Sequence, residues 1–164
     1  MDCFVIMGVS GCGKSSIGAA LATAIGGRFI DGDDLHPASN RAKMASGQPL
    51  TDADRAPWLT LVGQTLCTRT GPTVIGCSAL KRSYRDLIRN KAASPVIFVH
   101  LSGTPQVLAA RMAARSGHFM PPALLDSQLA TLEPPLPDEA AITVDIDQPP
   151  GAVLAEVLRL LKLA

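Results

Sequence analysis

Residues 8–15 read Gly8-Val9-Ser10-Gly11-Cys12-Gly13-Lys14-Ser15 and match G-x-x-x-x-G-K-[ST] in full. Each residue type there has a physical reason. Glycines let the backbone curl until its N–H groups converge on phosphate oxygens. A helix starting just after the loop adds its positive end to the same anion. Lys14 reaches the β- and γ-phosphates of a nucleotide, and the Ser15 hydroxyl ligates Mg²⁺. Cys12 holds a variable position, where a small filler is the simpler reading than a redox role. The flanks are those the motif requires: an apolar run, Cys3–Met7, precedes it, and a helix-period stretch, Lys14–Ile25, follows.

A second group of polar residues follows the next apolar run: Asp31-Gly32-Asp33-Asp34-Leu35-His36. In a parallel sheet the C-terminal ends of the strands open onto the ligand crevice. Asp31 and Asp33 could divide two tasks there, one holding a Mg²⁺-bound water and the other orienting a substrate hydroxyl and accepting its proton. An acidic turn with side-chain capping is the alternative. Asp34 reads as surface, and His36 either binds substrate or caps a helix. Arg41 and Lys43 follow, and Lys81, Arg82 and Arg85 come after a third apolar run. A small anionic substrate needs one or two such cations, and Arg grips a carboxylate with two parallel bonds. Arg82, Arg85 and Arg89 also have the spacing of a solvated helix face, opposite Tyr84, Leu87 and Ile88. Lys81 and Arg85 are favoured as functional, and Arg89 as surface. Arg111 and Arg115 share a helical face and lead into Ser116-Gly117-His118-Phe119-Met120. That suits a closing lid whose cations clamp phosphates, with an ordinary solvated pair as the alternative. His100 reads as structural. Trp58 reads as packing a helix onto the fold or onto a subunit partner.

Positioning these groups takes strands that end together. Five apolar runs qualify: Cys3–Met7, Phe29-Ile30, Thr73–Cys77, Val96–Leu101 and Ile142–Ile146. They interleave with helical stretches at Lys14–Ile25, Pro37–Ser46, Asp52–Thr70, Lys81–Ala93, Pro105 to about Arg115, Pro121–Leu132 and Gly151–Leu163. Thr51 and Thr104 are candidate caps, and Gly26-Gly27 a stop. Strands apolar throughout, separated by helices, predict a parallel sheet covered on both faces: a three-layer α/β/α sandwich. The length of 164 residues fits one domain, and 47% hydrophobic residues exclude wholesale disorder. Fifteen Lys and Arg against 14 Asp and Glu leave a net charge of +1. That argues against a broad nucleic-acid surface or a polybasic membrane anchor, though not against a local anion site. The cysteines at 3, 12, 67 and 77 form no CxxC pair and no zinc spacing, so reduced thiols in a cytosol are expected. The N-terminal run lacks a basic region and a cleavage site, and no apolar run approaches the ~20 residues of a membrane span. Pro134-Pro135-Leu136-Pro137 reads as a surface loop.

Several blocks together resemble the gluconate kinases of the short P-loop type. They are M-G-V-S-G-C-G-K-S-S; D-G-D-D-L-H-P with N-R-x-K-M; T-D-x-D-R-x-P-W-L; C-S-A-L-K-x-x-Y-R-D; R-x-x-x-R-x-G-H-F-M; and L-L-x-S-Q-x-x-x-L-E, spanning about residues 3–133. The resemblance implies transfer of phosphate from ATP to the 6-hydroxyl of D-gluconate, with Mg²⁺. It implies a P-loop NTPase fold like that of shikimate and adenylate kinases, with parallel strand order 2-3-1-4-5. It also implies one kinase domain over 1–164 with a lid at about 111–133, in a cytoplasmic homodimer with no nucleic-acid or membrane partner. Residues Gly8 through Ser16 would bind the nucleotide. The Phe29, Asp31, Asp33 pattern is similar to that of shikimate kinase, which gives Asp31 the magnesium water, beside Ser15 as metal ligand, and Asp33 the substrate hydroxyl. Arg111 would lie near adenine and Arg115 at the phosphates. Asp147-Gln148-Pro149 resembles the loop whose backbone reads adenine. Lys14, Asp33 and Arg115 are then the catalytic candidates, and Asp33, His36, Arg41, Lys81, Arg85 and His118 the substrate-binding ones. Two other readings stay open. One is a kinase of the same fold acting on shikimate, a nucleoside monophosphate or another sugar acid. The other is a nucleotide-binding regulator with no acceptor, which would have no need of Asp33 or of the cations after the third strand.

Overall fold

The structure, a computed structural model, describes residues 2–66, 71–114 and 122–163. Five strands form one sheet: β1 (Cys3–Met7), β2 (Arg28–Asp31), β3 (Thr73–Gly76), β4 (Val96–Ser102) and β5 (Ala141–Asp145). All pairings are parallel and the order is β2-β3-β1-β4-β5, as expected. The helices are α1 (Lys14–Ala24), α2 (Ala38–Ala45), α3 (Asp52–Thr65), α4 (Arg82–Lys91), α5 (Pro105–Ala114), α6 (Pro122–Thr131) and α7 (Pro150–Leu160), with a 3-10 turn at Gly32–Leu35. None among the described residues is long and apolar enough to cross a membrane.

The sheet has a core on each face. Phe4, Ile6, Val74, Val99, Leu101 and Val144 pack with Ile17 and Leu21 of α1, Leu108 of α5, Leu125 of α6 and Val153 and Val157 of α7. Cys3, Val5, Met7, Ile75, Val96 and Phe98 point the other way, onto Trp58, Leu59 and Val62 of α3 and Tyr84 and Ile88 of α4. Successive side chains alternate between faces, and both faces are covered, so the strands read as unbroken apolar runs.

Local signals set the helix starts. Thr51 Oγ1 accepts from the Asp54 N–H at 3.1 Å and Asp54 Oδ2 accepts from the Thr51 N–H at 2.8 Å, a capping box opening α3. Thr104 Oγ1 accepts from the Val107 N–H at 3.2 Å at the start of α5. Three expectations shift. Helix α3 stops at Thr65 rather than running to Thr70, because Leu66 turns extended and buries its side chain; residues 67–70 lie outside the described ones. Strand β5 is displaced one residue, since pairing with β4 sets Phe98 against Ala141. Cys12 and Cys77 are free and buried, but Cys3 is disulfide-bonded, against the expectation of four reduced thiols. Spacing along the chain does not reveal a pairing made by the fold.

The arginines of α4 correct the sequence reading most. Arg82 holds Asp138 with two bonds of 2.9 and 2.7 Å. Arg85 grips Glu139 through Nε and Nη2 at 2.7 and 3.0 Å, while its Nη1 donates to the carbonyls of Ala79 and Leu80 at 2.9 and 3.3 Å. Arg89, expected at the surface, is half-buried; it donates to Glu139 Oε1 at 3.0 Å and covers the Phe98 ring. The stripe is therefore neither a solvated face nor a substrate grip: it docks the proline-rich loop onto α4. Arg85 is 0% exposed with its donors committed, so it leaves the set of substrate ligands. The hydrogen bonds from Arg85 hold the Glu139 carboxyl down to about 2.

Removing one partner of a buried pair strands the other charge. Glu139→Leu is expected to cost about 3–5 kcal/mol in urea unfolding, with most of it recovered in the Arg85→Met, Glu139→Leu double variant. The acid side checks the same pair. The folded-state pKa of Glu139 lies below the ordinary 4.5, so its contribution is complete above that value and lost as pH falls toward 2. The double variant should accordingly lose stability less steeply over that window in unfolding curves collected against pH.

Candidate active site

The glycine loop joins the end of β1 to the start of α1. Gly11 and Gly13 stand at φ +84° and +96°, the left-handed region that a side chain would strain. The Gly8 N–H donates to the Ser78 carbonyl at 3.2 Å, which ties the loop to the segment after β3. Lys14 Nζ donates to the Gly8 and Val9 carbonyls at 3.0 and 3.1 Å. Ser15 and Ser16 are exposed on the first turn of α1, whereas Cys12 is buried, and burial raises its thiol pKa as suits a filler. One contact had no counterpart in the sequence reading. The Ser10 N–H donates to Gln128 Oε1 of α6 at 2.7 Å. Gln128 belongs to the L-L-x-S-Q block, the only trace of this contact in the sequence.

The acidic turn follows β2. A Cβ on Gly32 would collide with the Gly76 carbonyl oxygen, so the chain leaves β2 beside the end of β3 only with glycine there. Asp31 Oδ1 accepts from the Asp33 N–H at 3.0 Å and so caps the 3-10 turn. The capping alternative thus holds for one Asp31 oxygen, and the other takes no bond among the described residues. Asp33 reaches solvent yet is hemmed in by protein. Desolvation, then the Asp31 carboxylate, raises its pKa, while Lys14 pulls it down. Cradle lysine and turn carboxylate are therefore within electrostatic reach across the crevice.

His36 is buried and stacked on Trp58, with ring centroids 4.0 Å apart and planes 18° from parallel. Trp58 Nε1 donates to the Gly32 carbonyl at 2.8 Å, so this tryptophan packs α3 onto the acidic turn. Asn40 Nδ2 lies 3.2 Å from His36 Nδ1 and donates to the Asp54 carbonyl at 2.9 Å. Arg41 braces the turn from outside through the carbonyls of His36 and Asp34, at 3.2 and 2.8 Å. Lys43 pairs with Asp54 at 2.6 Å. Lys81 stands 3.4 Å from Asp52 and over the Tyr84 ring. Arg55, which the sequence reading passed over, donates to the Leu50 carbonyl at 2.6 Å and to Tyr84 Oη at 3.4 Å. Burial, then the charges of Arg41 and Arg55, lowers the pKa of His36. The signal was present in T-D-x-D-R-x-P-W-L. The fold thus gathers His36, Arg41, Arg55 and Lys81 on one side, and sets Arg85 behind them.

At the far end, Arg111 Nη2 donates to the carbonyls of Ile146 and Gln148. The two residues expected near adenine therefore meet. Arg115 and His118 lie outside the described residues. Of the expected lid at 111–133, the described parts are anchored to the body: Arg111 at the loop after β5, and α6 by Leu125, Leu129 and Gln128. His100 is buried in β4, and burial pushes its pKa down to about 4, as befits a structural residue. Among the described residues no three His, Cys, Asp or Glu side chains gather as metal ligands. The donors on hand, the Ser15 hydroxyl and a carboxylate oxygen of Asp31, suit Mg²⁺, which keeps several waters and takes phosphate oxygens.

Comparisons with known proteins bear on the family and the fold. An AAA domain family model matches residues 4–135. The chain is 50% identical to a gluconokinase of Gluconobacter oxydans, covering 94% of this chain and 88% of that protein. A crystal structure of a gluconokinase from Sinorhizobium meliloti superposes with a TM-score of 0.90 at 51% identity, over 99% of this chain and 93% of the other. A shikimate kinase from Aquifex aeolicus shares the fold at a TM-score of 0.62 and 14% identity, over 98% of this chain and 96% of that one. With a P-loop, an acidic turn and a cluster of cations set at one sheet edge, and with relatives this similar along nearly its whole length, the chain belongs to the gluconokinase family of P-loop kinases.

Proposed function

We propose that this kinase transfers the γ-phosphoryl group of ATP to the primary hydroxyl of D-gluconate, giving 6-phospho-D-gluconate and ADP. The observation that carries the reading is the close approach of the phosphate loop and the acidic turn at the end of β3, where Gly76 lies beside Lys14 and its carbonyl abuts Gly32. Asp33 orients the hydroxyl and takes its proton as the oxygen–phosphorus bond forms and the bond to the β-phosphate oxygen breaks. Lys14 leaves the Gly8 and Val9 carbonyls to neutralise the phosphates. Arg115 adds a second positive charge. The backbone of Gly8 through Ser16 holds the phosphates, and Arg111 and Gln148 border the adenine. Ser15 would ligate Mg²⁺ and Asp31 would hold one of its waters; when bound, the ion offsets the charge of the transferring group. His36, Arg41, Lys81 and His118 are assigned to the carboxylate and hydroxyls of gluconate, with Arg55 added and Arg85 withdrawn. Closure of 111–133 over the nucleotide belongs to the same proposal and starts from a state in which α6 is bonded to the cradle. A cytoplasmic homodimer acting on a small molecule completes it.

The first test is ADP production with MgATP and D-gluconate, shikimate, AMP, CMP, glucose or no acceptor. Turnover with gluconate alone is expected. Activity with another acceptor would reassign the substrate, and activity with none would favour a nucleotide-dependent regulator. Asp33→Asn should lower kcat by about 10² or more while leaving the KM for ATP nearly unchanged. Lys14→Ala should abolish transfer in the same assay.

A further inference from the structure

The geometry points to Asn40 as a positioning residue. We propose that it fixes His36 as the neutral tautomer protonated on Nε2, so that His36 offers a single N–H donor to an acceptor oxygen of the sugar acid. The proposal rests on the gluconate reading for the identity of the ligand, but its structural half stands apart from it.

Asn40 is 4% exposed. Its Nδ2 lies 2.9 Å from the Asp54 carbonyl, an oxygen that can only accept, and this settles which end of the amide faces inward. The same nitrogen lies 3.2 Å from His36 Nδ1. An amide nitrogen donates and does not accept, so Nδ1 must supply a lone pair, and the ring proton sits on Nε2. Both partners are held in place. Asp54 belongs to the capping box of α3 and pairs with Lys43 at 2.6 Å. The ring is clamped against Trp58, itself tied to the Gly32 carbonyl. A second proton on Nδ1 would face the amide N–H, and the two charges that act on the ring, Arg41 and Arg55, are both positive.

The other nitrogen is available. Among the described residues no side chain or carbonyl takes a bond from His36 Nε2. Among the described residues the one fully enclosed side-chain nitrogen or oxygen without a partner is His100 Nδ1, so Nε2 keeps some access to solvent. It does so one 3-10 turn beyond Asp33, with the His36 N–H bonded back to the Asp33 carbonyl. A neutral, oriented donor beside the base recognises a hydroxyl or carboxylate oxygen and discriminates against analogues that lack it.

Two measurements test this. Nitrogen-detected NMR of the wild-type protein at neutral pH should show His36 protonated on Nε2 and bare on Nδ1. Asn40→Asp, which puts an acceptor where the donor was, should move the proton to Nδ1. His36→Phe keeps the stack on Trp58 and should raise the KM for gluconate about tenfold or more with the KM for ATP unchanged, and His36→Gln, which returns an N–H near the same place, should recover part of the loss. An Nδ1-protonated or doubly protonated ring in the wild type would overturn the proposal. So would an unchanged KM for gluconate in His36→Phe. Failure of the gluconate reading looks different: wild-type enzyme that ignores gluconate while the NMR result stands.

Discussion

Strand direction is the constraint on which the site depends. Because all five strands run the same way, the segments leaving β1, β2, β3 and β5 emerge at one edge. The phosphate loop, the acidic turn, the Ser78–Lys81 segment and the loop through Gln148 are therefore neighbours, although they span most of the chain. Two close approaches hold them in register. The Gly8 N–H bonds the Ser78 carbonyl, and Gly32 passes against the Gly76 carbonyl with no room for a side chain. A cradle lysine can feel a carboxylate from another loop only because these backbones are so near.

A second layer of order comes from charge placed inside the fold. The Arg85–Glu139 pair is buried on both sides, and a buried pair of this kind is weak evidence for added stability, since desolvation offsets much of the attraction. Its geometry has another consequence. Arg85 also binds the Ala79 carbonyl, and Ala79 stands at φ +46°, a conformation that costs a non-glycine residue about 1–3 kcal/mol. The pair thus helps keep a strained segment in the shape that delivers Lys81 to the crevice. Glu133 adds to this by accepting the first free N–H of α4, that of Arg82, at 2.9 Å, while its own N–H bonds the Leu80 carbonyl at 2.8 Å. Helix α6 and the residue pair after it therefore touch two segments at the site's edge, the cradle through Gln128 and the Leu80–Arg82 stretch through Glu133.

Much of this was legible in the sequence. The glycine loop, the caps at Thr51 and Thr104, the five apolar runs and the strand order implied by the family resemblance all match the structure, and so does the grouping of Arg111 with Gln148. Such features depend on residues close together in the chain: a turn needs a glycine at one place, a cap needs an oxygen three residues before its donor, and a covered strand needs apolar residues in a row. The acidic turn was equally readable, with side-chain capping, which one Asp31 oxygen performs, among the readings it allowed.

What the sequence left undecided were partners from distant segments. Arg85 had the right charge, spacing and neighbourhood for a substrate ligand, and only the fold shows Glu139 in its grasp, 54 positions away. Arg55 and Gln128 stand in blocks that carry the family resemblance, yet nothing local in those blocks, or around Asn40, names the partner each one meets, and the disulfide-bonded state of Cys3 had no sign at all. Local sequence determined which elements form and where their polar ends lie, because short-range sterics and hydrogen bonding decide that. Tertiary structure decided which charge meets which, because a side chain's partner depends on how the layers pack and on what burial leaves within reach.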